Sequence, residues 1–271
     1  MIKILGYLIK GYWRGFVGGP DFNKDITHRF NLGDKQLSIN IPDSNVVAEY
    51  SPNSVNFPHT STSWFTEHMK IYEQHRYVHM MTENWMYIPP IALFPSSEYG
   101  MLSCQLRIKQ TDKINVLDKQ ALSNFVTQEY DNYQNGPDGI NTELRRRVVE
   151  ESSKMAMPYE PDELEEEVAK YIEFQGRNPM KPAIIKNFNQ LEWVFYQEVR
   201  NNSFTRYDFF CLPLSANSFL EIKFNHRVDL SHKHKKWAKH ALESQERIMG
   251  SIYLDELPQE TAIEHSSVSK L

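Results

Sequence analysis

The amino-acid sequence predicts an α+β fold in which a mainly antiparallel sheet is flanked by helices and preceded by an N-terminal amphipathic helix. Residues 37–41 and 101–109 alternate apolar and polar side chains with the two-residue period of a half-buried strand. Three aromatic and β-branched runs, residues 191–200, 205–214 and 219–228, are separated by short turn-forming segments, which is typical of an antiparallel meander. We therefore expect residues 37–41, residues 102–108 and the meander to share one sheet.

A long helix with one apolar stripe follows the meander, and Ser231 is placed near its N-cap. The stripe should pack on the sheet through Trp237, Leu242, Ile248 and Met249. In the sequence order, residues 1–19 form a helical arm, residues 20–257 a single α+β domain, and residues 258–271 a polar, flexible tail. A chain of 271 residues, 40% of them hydrophobic, is long enough to bury a core of this kind.

The N-terminal arm repeats apolar residues at three- and four-residue steps, which predicts an amphipathic helix. Its aromatic side chains Tyr12, Trp13 and Phe16 lie among the basic residues Lys10 and Arg14. This combination suits contact with a membrane surface or with a partner protein. The same apolar face also suits docking on the protein's own core, so three placements of the arm remain open.

Residues 29–47 predict a β-hairpin with its turn around Gly33. Residues 64–81 fit both a helix and a strand. Asp118 predicts the N-cap of a helix that the segment 135–137, Asn-Gly-Pro, brings to an end.

The middle of the chain, residues 141–176, is charged and helical in type, with few apolar positions. Pro161 followed by a run of carboxylates indicates a helix N-terminus, where negative charge suits the helix dipole. The simplest interpretation of this run is a solvated helix. Because the segment has too few apolar residues for a deep core position, it is also the predicted partner-facing surface, through Arg145, Arg146, Glu163, Glu166 and Glu167.

The composition excludes some classes of function and favours others. The formal net charge is −5, so the chain lacks the overall basic character of a sequence-independent nucleic-acid binder, and we expect no nucleic-acid partner. Aromatic residues make up 13% of the chain and suit both cores and interfaces. The two cysteines, Cys104 and Cys211, lie far apart in apolar runs, which predicts two buried thiols.

The first residues do not read as a signal peptide, because Lys10 and Arg14 interrupt the apolar stretch, and no run approaches the roughly 20 apolar residues that span a bilayer. We therefore expect a cytoplasmic bacterial protein, with peripheral contact at the inner membrane through the arm as an alternative.

The sequence contains no nucleophile elbow, phosphate-binding loop, dinucleotide fingerprint or HExxH motif. The strongest candidate for catalysis is a set of metal-ligand residue types, His68, His75, His79 and Glu83, which would share one face of a continuous helix. A metal on this set could activate water, so a metal-dependent hydrolase is the alternative function.

A second group of histidines lies near a run of lysines at residues 233–239 and predicts a basic, partly titratable surface: His226, His232, His234 and His240.

The order of a meander followed by a long helix that ends in Arg247-Ile248-Met249-Gly250-Ser251-Ile252-Tyr253-Leu254 resembles the end of PsbP/DcrB-like domains. Residues 30–32 and 37–42 also resemble the opening hairpin of that fold, whereas the middle of the chain is longer and more charged. The resemblance implies an antiparallel sheet flanked by helices and a binding role without catalytic residues. Bacterial relatives of this kind include accessory, chaperone and immunity-type proteins of contact-dependent secretion systems.

The leading prediction is therefore a non-catalytic protein-binding module without a cofactor. An acidic chain complements a basic partner and speeds encounter with it. We expect that partner to be a protein, either a toxin or a component of a secretion system.

Overall fold

The computed structural model describes residues 13–46, 55–72, 75–90, 98–177, 179–199, 205–227 and 235–257. Most of the N-terminal arm, including Lys10 and Tyr12, and the whole C-terminal tail lie outside these ranges. Among the described residues, no helix has the length and apolar character needed to cross a bilayer.

An eight-stranded antiparallel sheet forms the centre of the molecule. Its strands are β1 (Val17–Gly18), β4 (Lys70–Tyr72), β5 (His75–Ile88), β6 (Gly100–Gln110), β7 (Ile184–Phe188), β8 (Leu191–Val199), β9 (Thr205–Pro213) and β10 (Ser218–Arg227). The order is β1-β5-β6-β10-β9-β8-β7, with β4 paired to β5 outside this path. The predicted meander is confirmed as β8, β9 and β10, and the predicted strand at 101–109 is confirmed as β6.

A second, three-stranded sheet has the order β11-β3-β2 and contains β2 (Asp25–Leu32), β3 (Lys35–Pro42) and β11 (Tyr253–Glu256). The predicted hairpin is confirmed, with Gly33 at φ 69° in the turn, a conformation that glycine adopts without steric cost. The placement of residues 37–41 in the main sheet was wrong, because β3 pairs with β2 and with β11 from the end of the chain.

Residues 13–14 are helical and Phe22–Lys24 form a short 3-10 helix. Five complete α-helices lie in the described ranges: α1 (Thr62–His68), α2 (Lys119–Asn135), α3 (Ile140–Ser153), α4 (Pro161–Gln175) and α5 (Lys236–Met249). As predicted, Asp118 caps α2 by accepting hydrogen bonds from the backbone of Gln120 and Ala121. Pro161 begins α4, and a reciprocal capping box joins Glu160 to Glu163. Ser231 lies outside the described residues, and Lys235 stands at the N-cap of α5.

The main sheet carries a core on each face. On the first face, α5 and the small sheet pack through residues such as Trp237, Ile248 and Leu37, all buried. On the second face, Leu122 and Val126 of α2 are buried with strand residues of β8, β9 and β10. The predicted packing of the α5 stripe is confirmed, with one correction: Leu242 lies at the edge of the stripe and is 38% exposed. Cys104 and Cys211 are free and buried, as predicted.

Residues 64–81, which fit both helix and strand, contain α1, β4 and the start of β5. A β-bulge between His79 and Met81 interrupts the pairing of β5 with β6. Met80 is the extra residue, and because of it Val78 before the bulge, Met80 within it, and Trp85 and Tyr87 after it all enter the first core. The alternation of side chains therefore changes phase in the middle of one continuous strand.

Candidate functional site

The charged middle of the chain forms a helical hairpin, α3–α4, that packs on α2 through α3 and contacts the central sheet little. Leu144, Val148 and Val168 are buried within it. Its base is closed by Asn141, whose Nδ2 donates to the carbonyl of Arg177 at 2.9 Å and whose Oδ1 accepts from the Arg177 backbone N–H at 2.8 Å. The rest of the hairpin is largely exposed, including Met157, at 82%, in the connecting loop.

Helix α4 concentrates negative charge. Its 15 residues include six carboxylates and one lysine, a net charge of −5, which equals the net charge of the whole chain. The remaining residues are therefore electrically balanced.

The five predicted partner-binding residues lie on this hairpin, but most have partners within it. Arg145 Nη1 donates to Glu165 at 3.0 Å and joins α3 to α4. Arg146 donates to Glu143 at 2.7 Å within α3. Glu167 pairs with Lys170, Glu163 closes the capping box, and Glu166 is exposed.

The described end of the N-terminal arm docks on the protein's own core. Phe16 is buried against Tyr87 and His240, whereas Trp13 is 78% exposed. Arg14 Nη2 donates to His240 Nε2 at 2.8 Å. The helical period was expected to run to residue 17 and to end at residues 18–20, but Val17 and Gly18 form the edge strand β1, so the helix ends before Val17.

The premise of the metal-site alternative was also wrong, because no continuous helix joins the four residues. His68 ends α1, while His75, His79 and Glu83 lie on β5. Glu83 pairs with Cys104 on the first-core face of the sheet, whereas His79 pairs with Arg107 on the second face. The bulge between them puts these two residues of β5 on different faces. In the described part of the chain, no group of three or more His, Cys, Asp or Glu residues is placed to hold a metal ion.

The predicted basic histidine surface needs correction at the two described members. His226 is buried and its Nε2 lies 2.6 Å from Gln245 Oε1, and burial lowers its pKa to about 4. Burial, and then the charge of Arg14, lower the pKa of His240 to about 4. Both are therefore neutral near pH 7. His232 and His234 lie outside the described residues.

The second face of the main sheet holds a cluster of buried charges that sequence reasoning did not single out. Glu221 of β10 is fully buried and accepts from Arg107 Nε of the neighbouring β6. Lys109 Nζ lies 3.8 Å from Glu221 and 3.3 Å from Glu129 of α2. Tyr196 Oη donates to Glu221 at 2.9 Å.

A cavity of about 220 Å³ lies above this cluster, between the sheet and the C-terminal half of α2. The Arg107 and Lys109 side chains, each 7% exposed, and Lys223 provide its cations. Its walls are rich in tyrosine, with further polar side chains: Tyr72, Tyr130, Tyr133, Tyr196, Tyr207, His75, Glu129, Gln134 and Glu198.

Electrostatics in the cluster favour the ionised carboxylate. Burial alone would raise the pKa of Glu221, but Arg107 and Lys109 outweigh it and lower this pKa to about 2. Burial raises the pKa of Tyr196 well above its usual value, so its hydroxyl keeps its proton and donates. Burial, followed by the positive charge of Lys109, lowers the pKa of His75 to about 4, so this side chain is neutral.

Arg107, Lys109 and Glu221 escaped the sequence interpretation because each occupies a polar position of an alternating strand. That pattern normally marks a solvent-facing side. The sequence did contain one indication that these charges are buried, because α2 has an apolar stripe of its own. A second amphipathic helix packs on a second face of the sheet and buries the side chains on that face.

The fold class is α+β with antiparallel sheets, as the sequence predicts. No family model matches the chain, and no curated protein matches it. A search of solved structures finds LpqN, involved in cell envelope biogenesis of Mycobacterium tuberculosis, with 8% sequence identity, a TM-score of 0.30, and coverage of 93% of this chain and 96% of LpqN. Because this TM-score does not establish a shared fold, nothing known of LpqN is carried over to this chain.

Proposed function

We propose that the chain is a non-catalytic binding module and that its α3–α4 hairpin docks on a basic surface of a partner protein. The observation that carries this proposal is the segregation of charge, because α4 alone has the net charge of −5 of the whole molecule. A field of one sign on a projecting element steers an oppositely charged partner and raises the rate of encounter.

The loop at the tip of the hairpin adds apolar area to this surface. Met155 and Met157 are 42% and 82% exposed, and Val149 of α3 is 43% exposed. Methionine is flexible and polarisable, and protein interfaces are enriched in it. The proposed contact therefore joins an acidic helix, which sets the rate and orientation of encounter, with an apolar tip that loses water on binding.

The resemblance to PsbP/DcrB-like domains supports a toxin or a secretion component as the partner, and with it an immunity, chaperone or accessory role in bacterial competition. That assignment stays a prediction of the sequence. A gene beside this one that encodes a toxin or a secretion component would supply the candidate for direct measurement.

The experiment combines affinity capture from the native cell with a binding titration against the captured protein. Glu166→Lys reverses one exposed charge of α4 and leaves the capping box and the Arg145–Glu165 pair intact. Glu256→Lys on β11 is the matched control, because it makes the same charge change at an exposed position outside the hairpin.

We expect Glu166→Lys to weaken binding and Glu256→Lys to leave it unchanged, with the affinity of the unaltered protein falling as salt is raised. Equal loss in both variants, or an affinity that does not depend on salt, would remove the hairpin from the interface. Turnover of a substrate without any retained protein partner would favour an enzyme instead.

A further inference from the structure

The cavity under α2 contains a guanidinium with unused hydrogen-bond donors. Among the described residues, the hydrogen bond of Arg107 is the one from its Nε to Glu221. Its two terminal amino groups have no acceptor there, although the side chain is only 7% exposed and lines the cavity. The fully buried polar atoms without a partner in the described part of the chain are Trp193 Nε1, Arg206 Nε and Asn225 Oδ1. The amino groups of Arg107 are therefore not sealed off; they face the cavity, where a ligand can supply their acceptor.

The other cations of the cavity are already engaged. Lys109 lies within 4 Å of two carboxylates, Glu221 and Glu129. Lys223 Nζ lies 4.2 Å from the centre of the Tyr207 ring. The Arg107 guanidinium also lies near two rings, 5.0 Å from the centre of Tyr77 and 5.8 Å from the centre of Phe209, but these contacts do not use its N–H donors. Its planar fork matches the two oxygens of one carboxylate or of one phosphate.

The rim of the cavity selects between these two anions. Glu129 lies 3.3 Å from Lys109, and Glu198 lies 3.5 Å from Arg177. The cations Arg107, Lys109, Lys223 and Arg177 exceed the carboxylates Glu221, Glu129 and Glu198 by one charge, which balances a monoanion and not a dianion. The volume of about 220 Å³ is below the roughly 300–1,000 Å³ of drug-sized sites, so the ligand is small. The tyrosine rings provide flat faces for an aromatic or otherwise planar body, and Tyr133 is already in contact with His75 at 5.2 Å between ring centres.

We propose that this cavity binds a small organic monocarboxylate, whose carboxylate accepts hydrogen bonds from the two terminal amino groups of Arg107 and whose planar body lies among the tyrosine rings. The site is separate from the acidic hairpin and does not depend on its proposed docking role.

Benzoate is the probe, titrated into the full chain by calorimetry, with benzamide as a neutral probe of the same shape and inorganic phosphate as the alternative anion. We expect saturable binding of benzoate, and binding of benzamide weaker by about tenfold or more, because the lost contacts are charge-assisted hydrogen bonds. No saturable binding of benzoate, equal binding of benzamide, or tighter binding of phosphate would overturn the proposal.

Two variants test the residues. Arg107→Lys keeps the charge beside Glu221 and removes the planar fork, so benzoate should bind at least about tenfold more weakly. Arg247→Lys on α5, an exposed arginine on the opposite side of the sheet, is the matched control and should bind benzoate normally.

Tyr133→Trp fills part of the cavity without touching the Arg107–Glu221 pair, and it keeps the test decisive should Arg107→Lys fail to fold. It should also weaken benzoate binding about tenfold. Unchanged affinity in this variant would show that the cavity is not the site.

Discussion

Replacing the buried carboxylate of Glu221 by the amide in Glu221→Gln should destabilise the protein by about 3 kcal/mol at pH 7. The pKa of Glu221 falls from 4.5 to about 2 on folding, a change of about 2.5 units at roughly 1.4 kcal/mol each. This figure agrees with the roughly 3–5 kcal/mol that follows when one partner is removed from a buried ion pair, because Arg107 and Lys109 would lose their shared counter-charge.

The assay is urea unfolding of both proteins, followed by circular dichroism. The two free energies of unfolding are compared with the same value for their dependence on urea concentration. Glu192→Gln is the matched control: Glu192 pairs with Lys119 at an exposed site, so its loss should cost less than about 1 kcal/mol. A cost below about 1 kcal/mol for Glu221→Gln would refute the view that an ionised, paired carboxylate stabilises this face of the sheet.

The pH dependence offers a second check on Glu221. A carboxyl with a lowered folded pKa stabilises the protein above its unfolded pKa of 4.5, and this contribution is lost as the pH falls from 4.5 to about 2. The difference in unfolding free energy between the unaltered protein and Glu221→Gln should therefore be constant above pH 5 and shrink below pH 4.5. A difference that stays constant down to pH 2 would contradict the assignment.

Three further predictions concern other parts of the fold. Burial lowers the pKa of His226 from 6.5 to about 4, so as the pH falls over that window the unfolded chain takes up a proton before the folded protein does, and stability falls. His226→Gln should flatten the acid side of the stability profile between pH 6.5 and 4, and an unchanged slope would argue against a buried neutral histidine. Phe16→Ala should lower the free energy of unfolding by about 3–5 kcal/mol, whereas the exposed Trp13→Ala should change it by less than about 0.5 kcal/mol; equal effects in thermal unfolding would mean that the arm does not dock. Gly100→Ala should markedly lower the melting temperature, since φ is 154° and the added Cβ would lie 2.3 Å from the carbonyl oxygen of Arg227, and an unchanged melting temperature would show that the backbone can relax there.

The pattern of neighbouring residues was sufficient to predict those strands and helix ends that depend only on nearby parts of the sequence. The meander was predictable because each of its strands follows the previous one after a short turn. The starts of α2 and α4 were predictable because Asp118 and Pro161 act on their own helix ends. In both cases the residues that determine the structure are neighbours in the sequence.

Long-range pairing was not encoded locally. Residues 37–41 have a clear strand pattern, but that pattern does not reveal that their second partner is β11, some 215 residues further along the chain. The buried charge cluster was missed for a related reason. Arg107 and Glu221 are ordinary polar-face residues until α2 covers them, so their burial is a property of the assembled layers.

The bulge at His79 has a consequence for how this chain can vary in length. Met80 is the extra residue, so deleting it would restore strict alternation along β5 and leave Val78, Trp85 and Tyr87 opposite the same residues of β6, on the side of the first core. This deletion should therefore cost the burial of one methionine side chain and not the pairing of the strand. An insertion between His79 and Trp85 would instead shift the rest of β5 along β6, so relatives of this protein are expected to shorten this segment by one residue more readily than to lengthen it.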